Sequence, residues 1–62
     1  MSSQVLLIEP DAKTATFLSR AMGERGYEVT VSPSGKEGLI AAWRDQPDVI
    51  VLELELPDLD GL

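Results

Sequence analysis

Three short apolar segments alternate with two helix-like segments, and this alternation constrains the fold of the 62-residue chain more than any other feature. The apolar segments span residues 4–8, 27–31 and 49–54. Strands that alternate with helices pair in parallel, and right-handed crossovers join them. The pattern therefore predicts an α/β fold built as a single βαβαβ unit.

Turn and cap residues delimit the first helix. Pro10 cannot donate to a strand ladder and ends the first strand. Asp11 is a suitable N-cap for a helix over residues 12–25, and Gly26 supplies the stop. Apolar residues at three- and four-residue spacing predict the inward stripe of this helix. They are Ala15, Leu18, Ala21 and Met22.

The second helix begins at a capping box, in which Ser34 is followed three residues later by Glu37. Gly38 lies inside this helix at a cost of about 1 kcal/mol against alanine, which either marks a close approach of another backbone or is an accident. The polar and proline residues at 45–48 end the helix. Three large apolar side chains are predicted to face inward, namely Leu39, Ile40 and Trp43.

The apolar content of the strands predicts their order in the sheet. The first and third strands are apolar on both faces, as interior strands of a covered parallel sheet are, whereas the second alternates and suits an edge. The order 2-1-3 follows, with one helix on each side. The third strand is then an edge whose sequence is that of an interior strand. We therefore expect it to be covered by a second copy of the chain or by the remainder of a larger domain.

Charge and composition exclude several classes of function. The net charge of -6 argues against direct nucleic-acid binding, which needs a basic patch. No apolar run approaches the roughly 20 residues that span a bilayer, and no secretory signal is evident, so a cytoplasmic location is expected. The chain has no cysteine or histidine, which removes thiolate and imidazole chemistry.

Acidic residues follow the first and third strands, where an open α/β sheet binds its ligands. These residues are Glu9, Asp11, Glu53 and Glu55. Carboxylates that converge in one crevice suit a hard cation such as Mg²⁺. Alternatively they form a polar rim with no ligand, and the residues alone leave both interpretations open.

Three segments of the chain carry a family resemblance: VLLIEPDA, GYEVTVSPSGKEGL and QPDVIVLELELPDLDGL. Together they closely resemble the receiver domain of two-component response regulators, along essentially the whole chain. The resemblance implies a flavodoxin-like sheet of order 2-1-3-4-5, which agrees with the order predicted from the strands. Residues 1–62 would then be the first half of a receiver domain and would end in the loop after the third strand.

The resemblance also assigns roles to residues at the acidic edge. In the family an acidic pair binds Mg²⁺ and an aspartate accepts a phosphoryl group; here the pair falls on Glu9 and Pro10 and the acceptor position on Glu53. The backbone carbonyl that completes the metal site falls on Glu55, and Asp11 is a neighbouring substitute ligand. Since Pro10 offers no side-chain oxygen and Glu53 is longer than aspartate, we expect Mg²⁺ binding to be weak or absent and Glu53 to remain unphosphorylated.

The expected function is therefore that of an atypical pseudo-receiver, which is not an enzyme and signals through contact with a histidine kinase or an output domain. Glu53 either resembles the phosphorylated state or is merely a tolerated acid. Two rival functions remain: a Mg²⁺-dependent phosphotransfer or phosphatase-like site that uses Glu53, and a purely structural dimerisation module. No membrane partner is expected.

Overall fold

The computed structural model describes residues 2–53, in which strands and helices alternate as predicted. The elements are β1 (Gln4–Ile8), α1 (Ala12–Glu24), β2 (Glu28–Ser32), α2 (Gly35–Asp45) and β3 (Val49–Leu52). Of these two helices, neither has the length and apolar character needed to cross a membrane.

The three strands form one parallel sheet of order β2-β1-β3, which confirms the predicted order. Ile8 at the end of β1 is level with Ser32 on β2 and with Leu52 on β3. The carboxyl ends of all three strands therefore lie at the same edge of the sheet. This edge carries the acidic residues that follow β1 and β3.

The two helices pack on opposite faces of the sheet. Leu6 and Ile8 form a buried cluster with Ala41 of α2. Because side chains alternate along a strand, Leu7 points to the other face together with its register partner Val31. Val31 but not Thr30 lines a concavity with residues of α1, whereas Thr30 lines one with residues of α2, which agrees with α1 on that second face.

The end of α1 explains why β2 begins and ends one residue later than predicted. Gly26 has a φ of 93°, and its N–H donates to the carbonyl of Gly23 at 3.0 Å. The N–H of Tyr27 donates to the carbonyl of Met22 at 3.2 Å. These two bonds form a Schellman motif. Tyr27 therefore belongs to the helix end, and α1 itself stops at Glu24 with Arg25 as its C-cap.

The predicted inward stripe of α1 is confirmed in part. Ala15 is buried, and Leu18 and Met22 are half-buried. Ala21, the remaining member, is exposed.

The prediction for the inward face of α2 is wrong. Leu39, Ile40 and Trp43 are 55%, 63% and 84% exposed. The helix instead packs on the sheet through Gly38 and Ala41, which are buried. A Cβ atom on Gly38 would lie 2.3 Å from Cδ1 of Ile8, so the glycine lets α2 approach the Ile8 side chain rather than another backbone.

β3 is shorter than predicted and is exposed on its outer side. It ends at Leu52, and Leu54 lies outside the described residues. Val49, Ile50 and Val51 are 47%, 49% and 36% exposed, although all three are strong strand formers. The expectation that a second copy or a further part of a larger domain covers this strand remains a prediction.

Candidate acidic site at the carboxyl edge of the sheet

Backbone hydrogen bonds fix the positions of Glu9 and Glu53 at the carboxyl edge. The N–H of Glu9 donates to the carbonyl of Ser32 at 3.0 Å, and the N–H of Glu53 donates to the carbonyl of Ile8 at 3.1 Å. Neighbouring strands lie about 4.8 Å apart. The two glutamates therefore follow adjacent strands at matching levels, as the predicted crevice between β1 and β3 requires.

The carboxylate of Glu9 is held by the chain that follows it. Glu9 is buried, with 8% of its surface exposed. Its Oε2 accepts a hydrogen bond from the N–H of Asp11 at 3.1 Å. Because Pro10 has no N–H, the amide of Asp11 is the first backbone donor after that of Glu9. Glu9 thus fixes the turn from β1 into α1.

The side chain of Asp11 caps α1, as its position before the helix predicts. Its Oδ2 accepts a hydrogen bond from the N–H of Thr14 at 3.0 Å and another from the Thr14 hydroxyl. The hydroxyl bond, followed by the backbone bond, lowers the pKa of Asp11 below its ordinary value. Asp11 therefore makes its described contacts with the first turn of α1 rather than with Glu53.

We expect Asp11→Asn to remove part of the acid sensitivity of the fold. The pKa of Asp11 is lower in the folded chain, so its contribution to stability is present above the unfolded pKa and is lost as the pH falls through the folded pKa. Asparagine caps helices as well as aspartate does but does not titrate. Thermal midpoints of both proteins should agree near neutral pH and fall less steeply in acid for Asp11→Asn. Equal acid dependence would contradict the prediction.

No three acidic side chains within residues 2–53 come together as a group able to hold a metal ion. Glu55, whose backbone carbonyl was the fourth predicted ligand, lies outside the described residues. What the described part of the edge offers is the adjacent pair Glu9 and Glu53, with Pro10 where the family has a carboxylate. The weak or absent Mg²⁺ site therefore remains a prediction.

A concavity of about 260 Å³ lies beside Glu9, but it opens toward α1 and β2 rather than between β1 and β3. Its lining residues are Glu9, Pro10, Ala12, Ala15, Thr16, Ser19, Val31 and Pro33. Only Glu9 among them is charged. The concavity therefore does not bring Glu9 and Glu53 together around a common ligand.

A larger concavity, of about 390 Å³, lies on the outer surface of α1. Phe17 is 71% exposed there and is flanked by Lys13 and Arg20. The other lining residues are Ala12 and Thr16. The spacing of Lys13, Phe17 and Arg20 on one helical face was the sequence signal available for this surface.

Sequence comparison finds relatives along nearly the whole chain, although no protein-family model matches it. The transcriptional regulatory protein PcoR of Escherichia coli is 38% identical over 58 residues, which are 94% of this chain and 26% of PcoR. The transcriptional activator protein PfeR of Pseudomonas aeruginosa is 41% identical over 61 residues, or 98% of this chain and 20% of PfeR. The alkaline phosphatase synthesis transcriptional regulatory protein PhoP of Bacillus subtilis is 34% identical over all 62 residues, 26% of its length.

Structural comparison finds the same kind of protein. The signal receiver domain of a putative Luxo repressor protein from Vibrio parahaemolyticus superposes with a TM-score of 0.88 and 26% sequence identity. The match covers 98% of this chain and 47% of that chain. The chain thus spans about half of the solved receiver structure and between 20% and 26% of the three curated relatives.

Proposed function

Because sequence and fold place this chain in the response-regulator receiver family, we propose that it is a pseudo-receiver, a signalling module that works through protein contacts without phosphorylation of Glu53. Its partner is a histidine kinase or an output domain of a two-component pathway. The module is not an enzyme. It responds to, or transmits, the state of a partner instead of cycling through an acyl phosphate.

The main observation behind the proposal is that backbone N–H groups already donate to the carboxylates of Glu9 and Asp11, which follow the strand next to Glu53. Oε2 of Glu9 accepts the N–H of Asp11 at 3.1 Å, and Oδ2 of Asp11 accepts the N–H of Thr14 at 3.0 Å. These bonds fix the direction of both carboxylates, so a metal ion would have to bind the second oxygen of each in that fixed direction. Pro10, between them, contributes no further ligand.

The length of the Glu53 side chain supports the same conclusion. Its backbone is fixed by the bond to the carbonyl of Ile8 at 3.1 Å, so the additional methylene displaces the carboxylate by about 1.5 Å relative to aspartate. In-line phosphoryl transfer depends on position, and a misplacement of about 1 Å can cost roughly 100-fold in rate. Glu53 is therefore a poor acceptor even where a donor is present.

A second candidate function rests on the matching levels of Glu9 and Glu53 on adjacent strands. Two neighbouring carboxylates suit Mg²⁺, and the chain would then support a Mg²⁺-dependent phosphotransfer or phosphatase-like reaction at Glu53. Mg²⁺ bound there would neutralise the charge of a phosphoryl group. Glu9 and Glu53 would hold the ion, and Glu9 could do so through Oε1 while Oε2 accepts the N–H of Asp11.

Magnesium titration separates the two functions. We expect the unmodified chain to bind Mg²⁺ in the millimolar range or more weakly, since Ca²⁺ modules with fuller ligand sets reach only about 10⁻³ M. Pro10→Asp should strengthen binding about tenfold or more, because it adds a carboxylate at the family's ligand position. Ala21→Asp is the matched control, since it adds the same charge at an exposed position of α1 away from the acidic edge.

Equal Mg²⁺ affinity of Pro10→Asp and the unmodified chain would show that the inferred crevice is wrong. Tight binding by the unmodified chain would instead favour the phosphotransfer function. Isothermal titration calorimetry gives both affinities directly.

We propose the exposed face of α1 around Phe17 as the contact surface for the signalling partner. An aromatic ring 71% exposed between Lys13 and Arg20 suits a partner surface that is apolar at its centre and acidic at its rim. Phe17→Ser should weaken binding to the phosphotransfer domain of a kinase from the same genome by about tenfold or more. Tyr27→Ser, at the opposite end of α1, is the aromatic control and should bind normally. Equal binding by both variants would contradict this surface.

A further inference from the structure

The outer face of α2 presents three large apolar side chains to solvent. Leu39, Ile40 and Trp43 are 55%, 63% and 84% exposed, whereas Gly38 is buried on the sheet. With 3.6 residues per turn, Ile40 lies about 200° and Trp43 about 140° around the helix from Gly38. In a layered α/β fold the helices form the outer layers, so an element of the same sheet does not cover a residue opposite the buried face. Ile40 is therefore open to contact with an element outside this sheet.

The charges along α2 are arranged to complement a reversed copy of the same helix. Glu37 lies in the first turn and Arg44 in the last, on one flank of the apolar face and about 10.5 Å apart along the axis. A second α2 laid antiparallel therefore brings Glu37 opposite Arg44 at each end. A parallel copy would oppose like charges.

We propose that α2 pairs antiparallel with α2 of a second copy of this chain, about a two-fold axis that passes between Ile40 and Ala41. Such an interface is isologous, so each contact occurs twice. Ile40 of both copies meets at the axis, and Trp43 of each copy packs near Leu39 of the other. The salt bridge between Arg44 and Asp45, at 2.8 Å, leaves the guanidinium with further N–H donors for Glu37 of the second copy.

The pairing is weak because the contact surface is small. One helix of 11 residues on each side stays below the roughly 1,200 Å² of standard protein interfaces. We therefore expect weak association, and the measurements must extend from micromolar to millimolar chain concentration.

Charge reversal in sedimentation equilibrium tests the orientation. Glu37→Arg and Arg44→Glu should each weaken association about tenfold, because every reversal replaces two ion pairs by two repulsions. The double variant Glu37→Arg/Arg44→Glu should regain the original affinity. Interactions within a single helix cannot produce this recovery, because both reversals oppose the helix dipole and the two positions lie about two turns apart. Circular dichroism verifies that each variant is folded.

Two further measurements locate the contact on α2. Trp43 is the only tryptophan, so its emission should shift to shorter wavelength as the concentration rises. The chain has no cysteine, so Ile40→Cys should form a disulfide-linked dimer under mild oxidation faster than Val49→Cys on the exposed edge of β3. The proposal is overturned if the chain stays monomeric at millimolar concentration, if charge reversal leaves the association affinity unchanged, or if only Val49→Cys forms the cross-linked dimer.

Discussion

Pro10→Asp/Glu53→Asp should accept a phosphoryl group from a small donor at least about 100-fold faster than the unmodified chain. The first substitution supplies the carboxylate that the family uses for Mg²⁺, and the second draws the acceptor oxygen back by about 1.5 Å. Mg²⁺ then neutralises the charge on the incoming phosphate. Both changes act on one reaction centre, whose backbone is already fixed by the bond between Glu53 and Ile8 at 3.1 Å.

The single variants should recover much less activity than the double variant. Pro10→Asp binds metal but leaves the acceptor displaced, while Glu53→Asp places the acceptor correctly without a full ligand set. Groups that act as a unit are strongly non-additive. Pro10→Asp/Glu53→Asn is the matched control, because it keeps the new ligand and removes the nucleophile. Uptake by this control would show that another side chain accepts the phosphate.

Gly38→Ala should lower the free energy of unfolding by about 1–3 kcal/mol, although alanine is the better helix former. The added Cβ would lie 2.3 Å from Cδ1 and 2.7 Å from Cγ1 of Ile8, which is itself buried in the sheet. Either α2 must move away from β1 or Ile8 must leave its rotamer. A domain of this size has only about 3–5 kcal/mol of stability, so the effect is a large fraction of the total.

Gly23→Ala is the matched control for this prediction. It lies in α1, and an added Cβ would have no atom within 4 Å, so alanine should stabilise the chain by up to about 1 kcal/mol. In an Ile8→Val background, which lacks Cδ1, Gly38→Ala should lower the free energy of unfolding by a smaller amount. Urea unfolding of the unmodified chain, the three single variants and the double variant measures these differences. A neutral or stabilising Gly38→Ala would contradict the close packing of α2 on Ile8.

The strand order and the helix starts were predictable because short-range chemistry determines them. Apolar residues on both faces of β1 place it between two neighbours, and the sheet has it at the centre. Asp11 and Ser34 are short polar side chains that satisfy free N–H groups at helix starts, and both do so. Each of these predictions depended on residues only a few positions apart.

The packing face of α2 was not predictable from hydrophobic periodicity. Periodicity favours the largest apolar side chains as the buried ones, yet α2 packs through Gly38 and Ala41 and leaves Trp43 84% exposed. Small residues let the helix pack closely against Ile8, and the stability gained by this packing depends on the shape of the opposing surface. The glycine inside the helix was the one local sign of it.

The candidate site was likewise predictable only in part. The position of Glu9 and Glu53 at the carboxyl edge follows from the parallel topology, and the sheet register agrees with it. The engagement of Glu9 by the N–H of Asp11 does not follow from topology, because it depends on the turn that Pro10 imposes. The sequence therefore predicts where the backbones of Glu9 and Glu53 lie but not the hydrogen bond that the Glu9 carboxylate accepts.

The most direct test of the pseudo-receiver is the intact mass of the unmodified chain after incubation with Mg²⁺ and acetyl phosphate. The displaced carboxylate of Glu53 and the missing ligand at Pro10 predict no phosphoryl adduct, under conditions in which Pro10→Asp/Glu53→Asp acquires one. A stoichiometric adduct that maps to Glu53 in the unmodified chain would contradict the account.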